Sequence, residues 1–376
     1  MARRNLLKFR VEKYDTDRLE DYASQQPDVG DGTPNYTFSA IQREGYLLVA
    51  LANTDSNGHL LAEQYYYDPD TSKITAIGTL TDFGDDKTRQ AAPGDASAVH
   101  FAQFVLGKEN VKGKDLAVSY TICGDANHVG HTDTSTPLNI WRVSAALDKT
   151  VDLGKVAQAK YPSGSGRNSI AAVPYKHGLD EKAILLEALD GPSQLVYRES
   201  ETDNKGRLEF PNDLKSITTD ISPGLGVSAI YISPHIYAVY ASGKGEPTMV
   251  IYDGSIWSKP QKIVPDNTAD QGGLPKGWRG TNLAAITGKG NEKVVYFGYL
   301  SGDGQEPGKT PKLEKKLVHI TYDVAHRKWS EITPADDEYG YMDPPGYGYV
   351  SPIGEIVNNG TQADNPEIWV FRPYFV

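Results

Sequence analysis

The stretch VSAIYISPHIYAVYASGKGEPTMVIYDGSIWSKPQKI, residues 227–263, contains four short apolar runs separated by turn residues. Several of the runs alternate apolar and polar positions, which is the pattern of strands. The Asp253-Gly254 pair between the last two runs predicts a tight hairpin turn. Pro260 cannot donate to a central ladder, so the last run is predicted to be an outermost strand. The segment therefore predicts a four-stranded antiparallel unit.

Similar units recur along the chain. Each begins with a run of small and apolar residues, and the runs lie 56 to 70 residues apart: FSAIQ (38–42), HFAQF (100–104), IAAVP (170–174), VSAIY (227–231), LAAIT (283–287) and VSPIG (350–354). Ala and Ser suit strands that converge on a common axis, because bulky side chains would collide there. Four-stranded units repeated radially make a β-propeller. We expect an all-β fold with six four-stranded blades, in a single domain over residues 1–376.

The sixth unit is short, since only EIWVFRPYFV (367–376) follows its first run as strand material. The N-terminal LLKFRVEKYD (6–15) resembles LVHITYDV (317–324), the predicted third strand of the fifth unit. We therefore expect the N-terminal strands to complete the last blade and remove an open edge of the ring. Five or seven blades remain alternatives, because a weak repeat is easily miscounted by one. KAILLEAL (182–189) fits a strand as well as a helix.

Composition excludes several classes of function. The net charge of −11 argues against nonspecific binding to nucleic acid or to anionic membranes. Cys123 is the only cysteine, so an intrachain disulfide and a cysteine-rich zinc site are both excluded. No apolar run approaches the ~20 residues of a membrane span, and the N-terminus lacks the apolar core of a secretory signal. We expect a soluble, cytoplasmic protein, and its oligomeric state is not readable from the sequence.

Four long polar loops separate the predicted strands, at residues 81–95, 123–136, 264–280 and 333–349. Some of these loops lead into the first strand of a unit, and the others join a second strand to a third. In a propeller both kinds of loop lie on the same face, so the four loops are expected on one face. Loops of this length exceed common connections and often carry function. This face, over the propeller axis, is the predicted place of the site.

The candidate site residues come from these loops and from the first strands. The candidate polar residues of the site are Arg279, His128 and Tyr349, and the predicted substrate-binding residues are Trp278, Tyr347, Tyr231, Gln103, Gln42 and His100. Trp278 and Arg279 would pair an aromatic plane with a guanidinium. Each candidate has an alternative interpretation without a ligand. Trp278 would only pack its loop against the protein, the tyrosines would pack between blades, and the loop around His128 would be solvated. HVGHTD (128–133) also has the residue types of a metal site, but no metal is expected.

The turn segments YDGSIWSKPQKI (252–263) and LVYRESETDNKGRLEF (195–210) resemble those of fungal fucose-binding lectins, which are six-bladed propellers. The resemblance implies sugar contacts at Arg198 and Glu209. Those lectins repeat an Arg, a Glu and an aromatic residue in nearly every blade, and no such repeated set stands in the corresponding turns here. DGSIW (253–257) also does not match the Asp box of sialidases, which has the pattern Asp-x-Gly-x-Thr-Trp. A sialidase is therefore not expected.

In length, in lacking a signal and in its irregular blades, the chain is similar to fungal lectin-like propellers of natural-product pathways that act as pericyclases. The resemblance implies a hetero-Diels–Alder reaction between a quinone-methide-like diene and a terpene alkene. Orientation would lower the barrier, and so would one hydrogen bond to the diene carbonyl. The resemblance thus implies catalytic hydrogen-bond donors, for which the candidates are Arg279, His128 and Tyr349. It further implies an apolar or aromatic small-molecule substrate and no cofactor.

Three functional hypotheses therefore follow from the sequence. The first is a cofactor-independent pericyclase of fungal secondary metabolism with one pocket on the loop-rich face. The second is a fucose-type carbohydrate-binding lectin, and the third is a noncatalytic protein-binding propeller. Neither nucleic acid nor a membrane is expected as a partner.

Overall fold

The computed structural model describes residues 7–15, 18–25, 36–43, 46–54, 60–68, 70–71, 73–80, 99–125, 138–155, 167–189, 193–211, 213–222, 226–267, 273–274, 278–286, 292–301, 315–334, 355–358 and 368–375. Within these ranges the chain forms β-strands and turns, and it contains no α-helix. Nothing helical in this part of the protein is long and apolar enough to cross a membrane. The fold is therefore all-β, as the strand patterns predicted.

The described strands make six antiparallel sheets of four or five strands, numbered here in chain order, and one separate two-stranded hairpin. Sheet 1 contains β3 (Tyr36–Arg43), β4 (Tyr46–Thr54), β5 (Leu60–Asp68) and β6 (Lys73–Thr79). Sheet 2 contains β7 (Val99–Val111), β8 (Lys114–Asp125), β9 (Leu138–Val143) and β10 (Thr150–Lys155). Sheet 3 contains β11 (Arg167–His177), β12 (Asp180–Leu189), β13 (Gln194–Glu199) and β16 (Lys215–Thr218).

The remaining sheets follow the same plan. Sheet 4 contains β17 (Val227–Ile232), β18 (His235–Ala241), β19 (Pro247–Tyr252) and β20 (Gln261–Lys262). Sheet 5 contains β21 (Trp278–Ile286), β22 (Lys293–Ser301), β23 (Lys315–Asp323) and β24 (Lys328–Trp329), with β25 (Thr333–Pro334) also paired to β23. Sheet 6 contains β26 (Glu355–Asn358), β27 (Ile368–Phe375), β1 (Leu7–Asp15) and β2 (Arg18–Gln25).

Sheet 6 joins the two parts of the chain that are farthest apart in sequence. Its order is β26, β27, β1, β2, and Val11 of β1 lies opposite Phe371 of β27. The prediction that N-terminal strands complete the last unit is therefore confirmed at the level of strand pairing. The N-terminal strand takes third place in its sheet, the place that its likeness to residues 317–324 indicated.

The repeat runs are the first strands of their sheets wherever the structure describes them. The runs of the first four units lie in β3, β7, β11 and β17, and the described part of the fifth run, Leu283–Ile286, lies in β21. The run VSPIG (350–354) lies outside the described residues, directly before β26. KAILLEAL is a strand, since it lies inside β12. GRLEF (206–210) has the alternation of a strand and stands where the repeat requires the fourth strand of the third unit. In the structure it instead contributes to a separate two-stranded hairpin, and β16 is the fourth strand of sheet 3.

Apolar side chains fill the spaces between neighbouring sheets. Ala102, Ile140 and Leu185 belong to a buried cluster between sheets 2 and 3, and similar clusters lie between sheets 1 and 2, 3 and 4, and 4 and 5. The first strands lie beside one another in the order β3, β7, β11, β17, β21, β26, and β26 lies beside β3. Sheets 2, 3 and 4 are therefore covered on both faces by apolar clusters.

Candidate functional site

The hairpin of β7 and β8 is longer than its partner strand β9 requires. The last pair between β8 and β9 at this end joins Ser119 to Val143, so residues 106–118 project beyond β9. Lys112 and Gly113 form the tip with φ of 52° and 83°, the positive values of a two-residue hairpin turn. The hairpin extension provides backbone on which a side chain can reach back toward the sheet.

A β-bulge decides which way that side chain lies. The register between β7 and β8 shifts between Val105 and Lys108, where Gly107 has a φ of 77°. One extra residue in β7 reverses the alternation of its side chains beyond the bulge. Glu109 therefore lies on the same side of the sheet as Phe104, although simple alternation places them on opposite sides.

A row of three cross-strand neighbours faces sheet 3 at the base of this hairpin. Phe104 on β7 lies opposite Tyr120 on β8, which lies opposite Arg142 on β9. The rings of Phe104 and Tyr120 stack with their centroids 5.3 Å apart and an interplanar angle of 17°. Phe104 is buried, whereas Tyr120 and Arg142 are half-buried. The row thus runs from a closed apolar end to an open polar end.

Arg142 and Glu109 form an ion pair at the open end. Nη2 of Arg142 lies 3.0 Å from Oε2 of Glu109, and the exposed fractions of their side chains are 29% and 43%. Burial raises the pKa of the Tyr120 hydroxyl, while the positive charge and hydrogen bond of Arg142 oppose this shift and Glu109 adds to it. The site thus combines a guanidinium, a carboxylate and an aromatic ring, all within reach of solvent.

Sheet 3 lies against this row of side chains through one inserted segment. Between β13 and β16 the chain includes residues 200–211, here called the strap, which contains the two-stranded hairpin of β14 (Glu201–Thr202) and β15 (Leu208–Glu209). Phe210 of the strap is fully buried and meets Phe104 edge to face, with ring centroids 6.3 Å apart. The strap therefore covers the apolar end of the row.

Arg198 was expected to contact a sugar, and the structure places it elsewhere. Its side chain is 1% exposed and lies 2.8 Å from the carboxylate of Glu187, which is fully buried. Arg198 also donates to the carbonyl oxygen of Pro211 at 3.4 Å. Its guanidinium thus belongs to the protein interior, because both faces of sheet 3 are covered. Glu209 is exposed in β15.

The segment around Trp257 forms a closed aromatic cluster between sheets 3 and 4. The ring centroid of Trp257 lies 5.7 Å from that of Tyr197 and 5.1 Å from that of Tyr252. Tyr252 donates to Glu199 at 3.1 Å, and Lys215 lies 3.6 Å from the same carboxylate. Burial is the largest cause that raises the pKa of Tyr252, and the charge of Glu199 is the next. Trp257 therefore packs between sheets 3 and 4.

Gln103 is the predicted binding residue whose side chain is described in most detail. It is 7% exposed and lies between sheets 1 and 2. In the amide orientation that satisfies both ends, its nitrogen donates to the Ser39 carbonyl at 2.9 Å and its oxygen accepts from Gln64 and Thr121 at 3.1 and 3.2 Å. These bonds tie two sheets together, and a role in ligand binding stays a prediction.

The other predicted residues are placed to different extents. Tyr231 is half-buried in β17 and packs against the cluster between sheets 3 and 4. The backbones of Gln42 and His100 lie in β3 and β7, as expected for first strands. Trp278 and Arg279 begin β21, whereas they were expected just before it. Three further candidates lie outside the described residues: His128, Tyr347 and Tyr349.

Sequence reasoning missed the Arg142, Glu109 and Tyr120 site. One signal was present, since the Lys112-Gly113 pair at the tip marks the turn of a hairpin that starts at the HFAQF run. The bulge that brings Glu109 to the correct face has no comparable signal. The described residues contain no group of three or more side chains arranged to hold a metal ion.

Comparison with known proteins gives likeness at the level of fold. No family model matches the chain, and no curated protein matches it. Among solved structures, the lectin of Aleuria aurantia, a six-bladed β-propeller, is 13% identical, with a TM-score of 0.47 over 90% of this chain and 98% of that chain. The protein AofleA of Arthrobotrys oligospora is 10% identical, with a TM-score of 0.49 over 90% of both chains.

An α-L-arabinofuranosidase from Fusarium graminearum, solved with an iminosugar inhibitor, is 10% identical. Its TM-score is 0.51 over 91% of this chain and 95% of that chain. At such identities a likeness concerns the fold alone. The chain is all-β and has propellers among its structural neighbours, and its function has to be argued from its own residues.

Proposed function

We propose that this protein is a carbohydrate-binding β-propeller with a ligand site in the cleft between sheets 2 and 3. The observation that carries the proposal is the half-exposed Arg142–Glu109 pair beside the Tyr120 ring. A sugar presents hydroxyl groups that both donate and accept hydrogen bonds, together with apolar C–H faces. A guanidinium supplies donors, a carboxylate supplies acceptors and an aromatic ring supplies an apolar surface.

The propeller itself supports this location. We infer that the six sheets are blades of one ring, because their first strands lie side by side in sequence order and β26 lies beside β3. In such a ring the cleft between two blades is open only at its ends and outer side. Arg142 and Glu109 lie at the end that carries the turns between first and second strands. The cleft thus offers a partly desolvated place for a small polar ligand.

Isothermal titration with a panel of neutral monosaccharides, after screening on immobilised glycans, tests the proposal. We expect one site per chain, and we expect Arg142→Lys and Glu109→Gln each to weaken binding roughly 10- to 100-fold. The reason is that hydrogen bonds to charged groups contribute about 1.5–3 kcal/mol each, and lysine cannot reproduce the planar fork of arginine.

A matched control is available on sheet 4. Lys262 and Glu246 form an ion pair of 2.8 Å with similarly exposed side chains, 41% and 44%. Glu246→Gln should leave sugar affinity unchanged. Equal losses in the Glu246 and Glu109 variants would place the effect outside the cleft, and a wild-type protein that binds no sugar would refute the proposal.

The cycloaddition predicted from the sequence remains a separate hypothesis about a different site. It depends on Arg279 at the start of β21, and on His128 and Tyr349, which lie outside the described residues. If it is correct, a quinone-methide-type diene and a terpene alkene are coupled faster with the protein than without it. Arg279→Lys then lowers that rate, and Arg142→Lys leaves it unchanged.

A further inference from the structure

We propose that Arg43, on the first strand of sheet 1, is a positioning residue for the Arg142–Glu109 pair on sheet 2. The inference rests on the proposed function, because it concerns the same pair of side chains. It goes beyond that function by assigning to a residue of the neighbouring sheet the task of holding the strand end from which Arg142 extends.

Arg142 lies close to the end of a strand ladder. Tyr120 of β8 lies opposite Arg142 of β9, and the next pair, Ser119 with Val143, is the last one between these strands. Beyond it, β8 pairs with β7 as far as the hairpin tip. The end of a ladder opens more readily than its middle. Arg142 therefore needs a further contact that keeps this end closed.

Arg43 provides this contact from the opposite face of sheet 2. Its Nη1 donates to the Ser119 hydroxyl at 3.0 Å, and its Nη2 donates to the carbonyl oxygens of Ser144 and Ala145 at 3.0 and 2.6 Å. Ser119 and Tyr120 are consecutive in β8, so their side chains lie on opposite faces of the sheet. Ser144 directly follows β9. One planar guanidinium thus joins both strands at their last pair.

Ser144 is the centre of the turn that Arg43 holds. Its backbone N–H donates to the Lys149 carbonyl at 3.0 Å, and its carbonyl oxygen accepts from the Leu147 N–H at 3.1 Å as well as from Arg43. Its hydroxyl donates to the Asp148 carboxylate at 2.6 Å. The turn between β9 and β10 is therefore one hydrogen-bonded unit, and Arg43 connects that unit to sheet 1.

Burial makes these hydrogen bonds hard to replace. Arg43 is 3% exposed, and Ser119 and Ala145 are 1% and 3% exposed. An acceptor that loses its donor in such a place is shielded from water, so the desolvation cost of that acceptor remains. Arg142 and Glu109 lie on the other face and are half-exposed. Arg43 therefore does not reach a ligand there, and its effect on binding has to pass through β8 and β9.

The variant Arg43→Met tests the proposal by two measurements. Hydrogen exchange read by mass spectrometry should show the amides of residues 143–149 exchanging at least about tenfold faster than in the wild type. Affinity for the neutral monosaccharide that binds most tightly in the panel should fall about tenfold, as measured by titration calorimetry. Arg43→Lys keeps the charge and loses the fork, so both changes should be smaller in that variant.

A double-variant cycle separates positioning from a general loss of stability. If Arg43 acts through Arg142, Arg43→Met should weaken binding about tenfold in the wild type and much less in the Arg142→Lys background. The matched control is Gln64→Leu. Gln64 accepts from Thr121 at 2.8 Å and so joins the same two sheets, away from the end of the β8–β9 ladder. This control should change neither the exchange of residues 143–149 nor the affinity.

Each outcome decides a different step. Unchanged exchange overturns the role of Arg43 in closing the strand end, and faster exchange with unchanged affinity overturns the positioning role. Equal losses of affinity in the two backgrounds overturn the route through Arg142. A wild-type protein that binds none of the sugars overturns the proposed function, whereas the exchange rates still decide whether Arg43 holds the strand end. If Arg43→Met does not fold, Ser119→Ala removes one bond only and should show the same changes at smaller size.

Discussion

Removing one partner of the buried Arg198–Glu187 pair should cost far more stability than removing both. In Arg198→Met the fully buried Glu187 loses the cation that lies 2.8 Å away. An uncompensated buried charge typically costs about 3–5 kcal/mol. The entropy of unfolding is about 2.1 cal/mol/K per residue, or about 0.8 kcal/mol/K for a chain of 376 residues. The variant should therefore melt about 4 to 6 °C below the wild type.

Thermal unfolding followed by circular dichroism, with urea titration as a second measure, provides the assay. Glu187→Leu/Arg198→Met should recover most of the loss, because apolar replacement of both charges is often neutral or stabilising. Lys262→Met breaks the exposed pair with Glu246 and should shift the melting temperature by no more than about 1 °C, since exposed pairs contribute about 0–1 kcal/mol. A double variant as unstable as the sum of its single variants would refute the reasoning.

Two further predictions concern the strand pairing and the turns. Deleting residues 1–25 removes β1 and β2 and leaves one side of β27 unpaired, so the protein should aggregate in size-exclusion chromatography, whereas deleting residues 1–6 should leave it monodisperse. Backbone N–H groups of Ile256 and Ser255 hold the pKa of Asp253 below its usual value. The stability that Asp253 contributes should be complete above about pH 3.9 and should be lost as the pH falls through the lower folded-state pKa. The free energy of unfolding of Asp253→Asn should therefore differ from that of the wild type at pH 7, and the two values should converge in acid. Urea unfolding at each pH measures both values.

Much of the fold was predictable because it rests on local pattern. Alternating apolar runs and turn residues predicted the strands, and the small-residue runs predicted the first strand of each described unit up to β21. The likeness between residues 6–15 and 317–324 was sufficient to predict the pairing of β1 with β27, which joins distant parts of the chain. Strand pairing of this kind follows from the need of every backbone edge for a partner.

The strap was not predictable by the same means. GRLEF (206–210) has the alternation of a strand, and the repeat required a fourth strand near that position. In the structure only Leu208 and Glu209 are strand residues, and they pair within the strap. A repeat shows only what the units have in common. An insertion in one unit, such as residues 200–211, is therefore mistaken for the strand that the other units have at that place. Its packing on Phe104 depends on contacts about 100 residues apart, which no local pattern contains.

The candidate site depends on a still smaller departure from the pattern. Strict alternation separates Glu109 from Phe104, and the bulge at Gly107 brings them to one side. For Gln103 the strand was predicted correctly, because it lies in the first strand β7. The sequence did not predict that its side chain enters the interface between sheets 1 and 2. Alternation assigns residues to two faces, and only the packed structure decides what each face meets.

The contrast between two interfaces explains why binding is proposed at only one of them. Between sheets 3 and 4, the Glu199 carboxylate accepts from Tyr252 and faces Lys215, inside an aromatic cluster that includes Trp257. The Glu199 carboxylate is thus used within the interface, and aromatic side chains pack around it. Between sheets 2 and 3, the long hairpin and the strap alter both walls, so that Arg142 and Glu109 meet at a half-exposed end. In a fold of repeated units, a site for one ligand arises where a unit departs from the repeat, because the repeated interfaces use their polar groups to hold the sheets together.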